Sequence, residues 1–219
     1  MKAMILAAGR GERMRPLTDH TPKPLIEVKG KALIVWHIEK LASLGFAEIV
    51  INIAHLGYKI PEALGDGSKW GVSLVYSDEQ DSGALESAGG IIKALPFFGE
   101  ETFLVVNGDI FCDYDFDHSF DLGSDSAHLI LVPNPEHNPD GDFALKKSRV
   151  LNDGNEKFTF SGIGYYSPKL FDGLTAEKNA LAPLLREAMK KEKVSGSLYK
   201  GVWYDIGTPQ RLQAINNKQ

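Results

Sequence analysis

The chain has 219 residues, 43% of them hydrophobic, and a formal net charge of −5, so it can bury one substantial core and lacks the basic balance of a general nucleic-acid binder. Cys112 is its only cysteine, which excludes an internal disulfide and a cysteine-built zinc site. The six histidines show no ligand spacing, so any metal is expected on carboxylates.

No charged-then-apolar leader opens the sequence, and no run approaches membrane-spanning length. The expectation is a cytoplasmic protein with small-molecule partners, contacting neither nucleic acid nor membrane, as a monomer or small homo-oligomer.

In chain order, Ala3–Leu6 reads as a short strand. Leu33–Leu44 reads as a helix with Ile34, Ile38, Leu41 and Ala42 on one face and Gly45 as its stop. Glu48–Ile53 is a strand, 58–64 a short helix, Val72–Tyr76 a strand and Ala88–Leu95 a helix. This alternation is a βαβ pattern. Thr102–Val106 is nearly continuous apolar sequence, as a strand buried in a parallel sheet should be. Beyond it, Ala127–Val132, Phe143–Lys147 and Lys157–Tyr166 read as strands without long helices between them, so this half is expected to be mixed or antiparallel. Ala180–Lys191 reads as a helix, and Thr208-Pro209 as the cap and first residue of another.

The segment Leu6–Leu25 carries the clearest chemistry. Gly9 and Gly11 allow a tight turn that brings amides close to an anion, and Arg10, Arg13, Arg15 and Lys23 can neutralise several phosphate charges. A bare Gly-x-Gly after a strand is usually an ordinary turn. Here the cations and Pro22-Lys23-Pro24 point to a phosphate cradle, with a nucleoside triphosphate as the expected ligand. A Walker A loop is excluded because no Lys-Ser or Lys-Thr follows the last glycine. A dinucleotide fingerprint fails because Met14 stands where its third glycine belongs.

Asp109, in Asn107-Gly108-Asp109, closes the buried strand, at the sheet edge where α/β proteins bind ligands. Asp205 follows Val202-Trp203-Tyr204 and precedes Ile206-Gly207-Thr208-Pro209. Each alone is ordinary turn or helix-entry chemistry. Together with the cationic loop they read as a Mg2+ pair, since magnesium takes one or two protein carboxylates and leaves its other positions to water and phosphate.

Leu6–Leu25 resembles the signature of the sugar-1-phosphate nucleotidyltransferases, and Asn107-Gly108-Asp109 and Asp205 fall where that family carries its metal aspartates. The similarity runs essentially the full length. Gly141-Asp142-Phe143, Thr159–Gly164 and Leu181–Leu185 most resemble a short bacterial uridylyltransferase branch. The resemblance implies an α/β, Rossmann-like nucleotidyltransferase fold in one domain, 1–219, with a mixed, mainly parallel central sheet flanked by helices. A nucleotide-binding part would span about 1–110, and a smaller β-rich, sugar-binding part about 111–219.

It also implies that Arg15 and Lys23 are catalytic charge stabilisers. The nucleotide would contact Ala8, Gly9, Gly11, Glu12 and Arg13, together with Asp78, Gly83 and Gly89 in the segment 77–90. The sugar would meet Asn107, Gly141 and Glu156, and Mg2+ would sit on Asp109 and Asp205. Three readings stay open: a uridylyltransferase, a relative using another base or sugar, and a non-catalytic nucleotide sensor of the same fold.

Overall fold

The apolar alternation of the first half produces strands buried on both faces. In a computed structural model, which describes residues 1–80 and 85–218, strand β1 (Lys2–Leu6) sends Ala3 and Ile5 into one core and Met4 into another. A hairpin of β2 (Glu27–Val28) and β3 (Lys31–Ala32) follows, leading into helix α1 (Leu33–Ser43). The α1 stripe is buried at Leu33, Ile34, His37, Ile38 and Leu41. Gly45, at φ +91°, reverses the chain beyond it, a conformation that L-residues adopt only with strain.

Strand β4 (Glu48–Ile53), helix α2 (Lys59–Leu64), strand β5 (Ser73–Asp78), helix α3 (Glu86–Phe98) and strand β6 (Phe103–Asn107) complete the β-α-β half. The second half holds β7 (Ile110–Cys112), β8 (Ala127–Val132), β9 (Phe143–Lys146), β10 (Arg149–Leu151) and β11 (Lys157–Tyr166). Helix α4 (Leu181–Lys190), β12 (Val194–Leu198), β13 (Trp203–Asp205) and α5 (Pro209–Asn216) follow.

Strands from both halves join one nine-stranded sheet in the order β5-β4-β1-β6-β11-β8-β12-β10-β9. Its first four neighbours are parallel, while β11 runs antiparallel to both β6 and β8. The fold is therefore mixed α/β with a mixed central sheet. Strand β12 lies parallel to β8, a pairing that its sequence, Val-Ser-Gly-Ser-Leu, does not announce. β7 pairs with β13 in a separate two-stranded ribbon. A third, smaller core of Met14, Ile26, Val28, Leu33, Ile206 and Ile215 lies apart from the two main cores. Among the described residues no helix is long and apolar enough to cross a membrane.

Candidate active site

Strands β1, β4 and β6 are parallel neighbours, and their carboxyl ends open into a cleft of about 540 Å3. Its wall is the loop Leu6–Arg13, then Lys23, Asn52, Glu79, Glu86, Ser87, Asn107–Asp109 and Gly207. This is where a doubly wound sheet places its ligands. The two loop glycines differ in what they do. Gly11 has φ +64°, and a Cβ there would stand 2.8 Å from Thr18 Cγ2. Gly9 faces open space, so its lack of a side chain leaves room for a ligand to approach the backbone. Thr18 Oγ1 donates to the Gly11 carbonyl at 2.9 Å, and fully buried Met14 fastens the loop to the third core.

Lys23 is almost fully buried, and its Nζ lies 2.7 Å from Asp109 Oδ2. The β7–β13 ribbon draws Asp205, the last residue of β13, towards Asp109, which immediately precedes β7: Asp205 is in register with Ile110, and Ile206 N donates to the Asp109 carbonyl at 2.8 Å. His37 on α1 braces the same ribbon, its Nε2 lying 2.8 Å from the Ile110 carbonyl. Burial lowers the pKa of His37 to about 4, so at neutral pH it is uncharged and Nε2–H is the donor.

Asp205 Oδ2 accepts from Arg211 Nη1 at 2.6 Å, and His137 Nε2 lies 3.2 Å from the same oxygen. Asp205 Oδ1 is buried with no hydrogen-bond partner, the only such side-chain atom among the described residues. A Cβ on Gly207, which lines the cleft, would stand 2.8 Å from that oxygen. An unpartnered buried carboxylate oxygen is costly, and a hard cation is its natural partner. The residues present fit a divalent ion held by one or two carboxylates. Among the described residues no group of three or more His, Cys, Asp or Glu forms an all-protein cage.

Behind the loop, Asn52 and Glu79 form a buried polar relay. Ala7 N donates to Asn52 Oδ1 at 2.7 Å, Asn52 Nδ2 to Glu79 Oε1 at 2.8 Å, and Leu85 N to Glu79 Oε2 at 3.0 Å. This ties the first strand's exit to the entry of α3. A second cavity of about 330 Å3 adjoins the cleft, sharing Glu86, Ser87 and Asn107, and continues to Phe143, Phe160 and α4.

Residues 2–145 match the family model described as nucleotidyl transferase. The chain belongs to the nucleotidyl transferase family. It is 55% identical, over 97% of its length and 96% of the relative, to the N-acetylmuramate alpha-1-phosphate uridylyltransferase of Neisseria meningitidis serogroup B. A UTP–glucose-1-phosphate uridylyltransferase of Synechocystis is 41% identical over 60% of this chain and 36% of that protein. In fold the chain is similar to a candidate glucose-1-phosphate thymidylyltransferase of Bacillus anthracis, with a TM-score of 0.85, 24% identity and coverage of 99% of this chain and 94% of that one.

Within this nucleotidyl transferase the cleft gathers Ala8, Gly9, Gly11, Glu12, Arg13, Lys23, Asn107 and Asp109. Arg15 lies outside its wall, 64% exposed and paired with Asp19 at 3.3 Å. Arg13 is the member of that pair of arginines that reaches the cleft. Asp78 turns away, accepting from Gln80 N at 2.8 Å and Gln80 Nε2 at 2.9 Å, while its neighbour Glu79 enters the wall. Gly83 lies outside the described residues.

Gly89 is buried in α3, where a Cβ would collide with the Glu177 carbonyl. Gly90 makes room for Asn52 and Glu79. Gly141, at φ +64°, packs against Asn134 and Lys157, and exposed Glu156 lines neither cavity. The nearer features of the second cavity are Asp142, Phe143 and Phe160. Cys112 is shielded, and burial pushes its thiol up to about 11, which makes it a poor nucleophile at neutral pH.

Proposed function

We propose that this chain is a cytoplasmic enzyme, working as a single domain over residues 1–219, that joins UTP to N-acetylmuramate 1-phosphate. The products are UDP-N-acetylmuramate and pyrophosphate, in peptidoglycan recycling. The observation that carries the reading is the coincidence of near full-length similarity to the Neisseria uridylyltransferase with a cleft that combines a glycine loop, buried Lys23 and Asp109.

In the reaction an oxygen of the sugar phosphate attacks the α-phosphorus of the triphosphate, and the bond from that phosphorus to pyrophosphate breaks. The attacking group is already anionic, so neither a general base nor a covalent enzyme intermediate is needed. Catalysis then rests on alignment and on stabilising spreading charge. Lys23 stabilises charge at the α-phosphate in this reading. Arg13, with Arg10 on the same wall, neutralises the leaving phosphates in this reading, and Arg15 joins them by leaving Asp19. Amides of the Ala8–Gly11 loop approach the nucleotide, and Asn107, shared by both cavities, stands between nucleotide and sugar. Asp109 and Asp205 would hold Mg2+, which would supply charge neutralisation on phosphate oxygens.

The test is pyrophosphate release with Mg2+ for UTP, dTTP, GTP, CTP and ATP, each paired with N-acetylmuramate, N-acetylglucosamine, glucose and mannose 1-phosphates. Turnover confined to UTP with N-acetylmuramate 1-phosphate is the expected result. A different active pair keeps the mechanism and changes the substrates. Nucleotide binding without pyrophosphate release across the grid would overturn the enzymatic reading in favour of a sensor.

A further inference from the structure

The second cavity has a marked chemical asymmetry. Leu181, Ala182, Leu185 and Arg186 line it from α4, positions one turn apart that share a helix face. Phe143 of β9 and Phe160 of β11 supply further apolar surface. Both of its acids already have partners: Asp142 Oδ2 accepts from Phe160 N at 2.8 Å, and Glu86 pairs with Lys178 at 3.5 Å. Arg186 is the only cation of this wall among the described residues, and it is exposed. The acid that feels it, Asp153, is fully exposed and is influenced more strongly by Asn152 and Lys157.

N-acetylmuramate differs from N-acetylglucosamine by one group, a lactyl ether: a methyl-bearing carbon ending in a carboxylate. An apolar contact beside a cation recognises that group, and must overcome the repulsion of neighbouring carboxylates. We propose that Arg186 is the specificity-determining residue for the sugar, its guanidinium taking the lactyl carboxylate while Leu181, Leu185 and Phe143 contact the ether arm. The inference rests on the proposed substrate. Guanidinium suits the task because its planar fork binds a carboxylate through two parallel hydrogen bonds.

The test compares kcat/KM for N-acetylmuramate 1-phosphate and N-acetylglucosamine 1-phosphate, with UTP, in the wild-type protein, Arg186→Gln and Arg186→Lys. Arg186→Gln is expected to lower the value for N-acetylmuramate 1-phosphate by roughly 10- to 100-fold, as deletion of a charge-assisted hydrogen bond does, and the value for N-acetylglucosamine 1-phosphate far less. The loss should fall mainly on KM, and Arg186→Lys should recover part of it. Equal losses on both sugars, or none, would overturn the assignment while leaving the proposed function standing. Absence of wild-type turnover with N-acetylmuramate 1-phosphate would overturn the substrate reading and this assignment together.

Discussion

Lys23 and Asp109, 86 positions apart in sequence, meet in an ion pair of 2.7 Å at the floor of the cleft. A buried ammonium and the carboxylate proposed to hold Mg2+ thus hold each other in place beside the glycine loop. Lys23→Ala is expected to lower kcat by about 10²–10³, the usual cost of removing one transition-state donor. Pyrophosphate release checks this, and an unchanged thermal midpoint would separate lost chemistry from lost folding.

The two loop arginines make a sharper contrast. Arg13 lines the cleft and Arg15 pairs with Asp19 at the surface. Arg13→Ala should cost turnover on the scale of roughly 10²–10³, and Arg15→Ala distinctly less. A larger loss at Arg15 would mean that the loop rearranges around the bound triphosphate.

Asp205 is oriented by Arg211. Partners of this kind typically carry a factor of about 10 to 100 in metal affinity, so Arg211→Ala should weaken Mn2+ binding by that order and Asp205→Asn by at least as much. Electron paramagnetic resonance titration of Mn2+ measures this directly, without reliance on turnover.

Gly89 sits beneath the Glu177 carbonyl, where a Cβ finds backbone rather than a movable side chain. Gly89→Ala is therefore expected to destabilise the fold by about 1–3 kcal/mol, the range for overpacking a filled site. Urea unfolding provides the measurement.

His37 sets a pH limit on stability. Burial lowers its pKa in the folded protein from 6.5 to about 4. Between those values the unfolded chain binds a proton that the folded protein refuses, so stability is lost as pH falls, by up to about 1.4 kcal/mol per pH unit from this group. Urea midpoints measured across that window should slope accordingly, and His37→Gln should flatten the slope.

Where local chemistry decides structure, the sequence was readable. The apolar run of β6 ending in Asn107-Gly108-Asp109, the α1 stripe and the Thr208-Pro209 cap all form in the structure at the expected places. Residues whose surroundings come from distant segments were not. Glu79 follows Asp78 in the segment 77–90, and only the approach of Asn52 and the turn into α3 buries it. A polar residue inside the apolar run Ile49–Ile53 of β4 is the available signal for Asn52. Arg13 and Arg15 are indistinguishable by composition. They part because the tight turn at Glu12–Met14 drives Met14 inward and leaves its neighbours facing different ways. The second cavity is lined jointly by α4, β9 and β11, distant segments whose convergence has no sequence signature.

The small core that holds Met14 also holds Ile215 of α5. A side chain about two hundred positions downstream is therefore walled in with the residue that anchors the glycine loop. Ile206, the neighbour of Asp205, belongs to the same core, so trimming Ile215 is expected to loosen the packing beneath the glycine loop and beside Asp205 together.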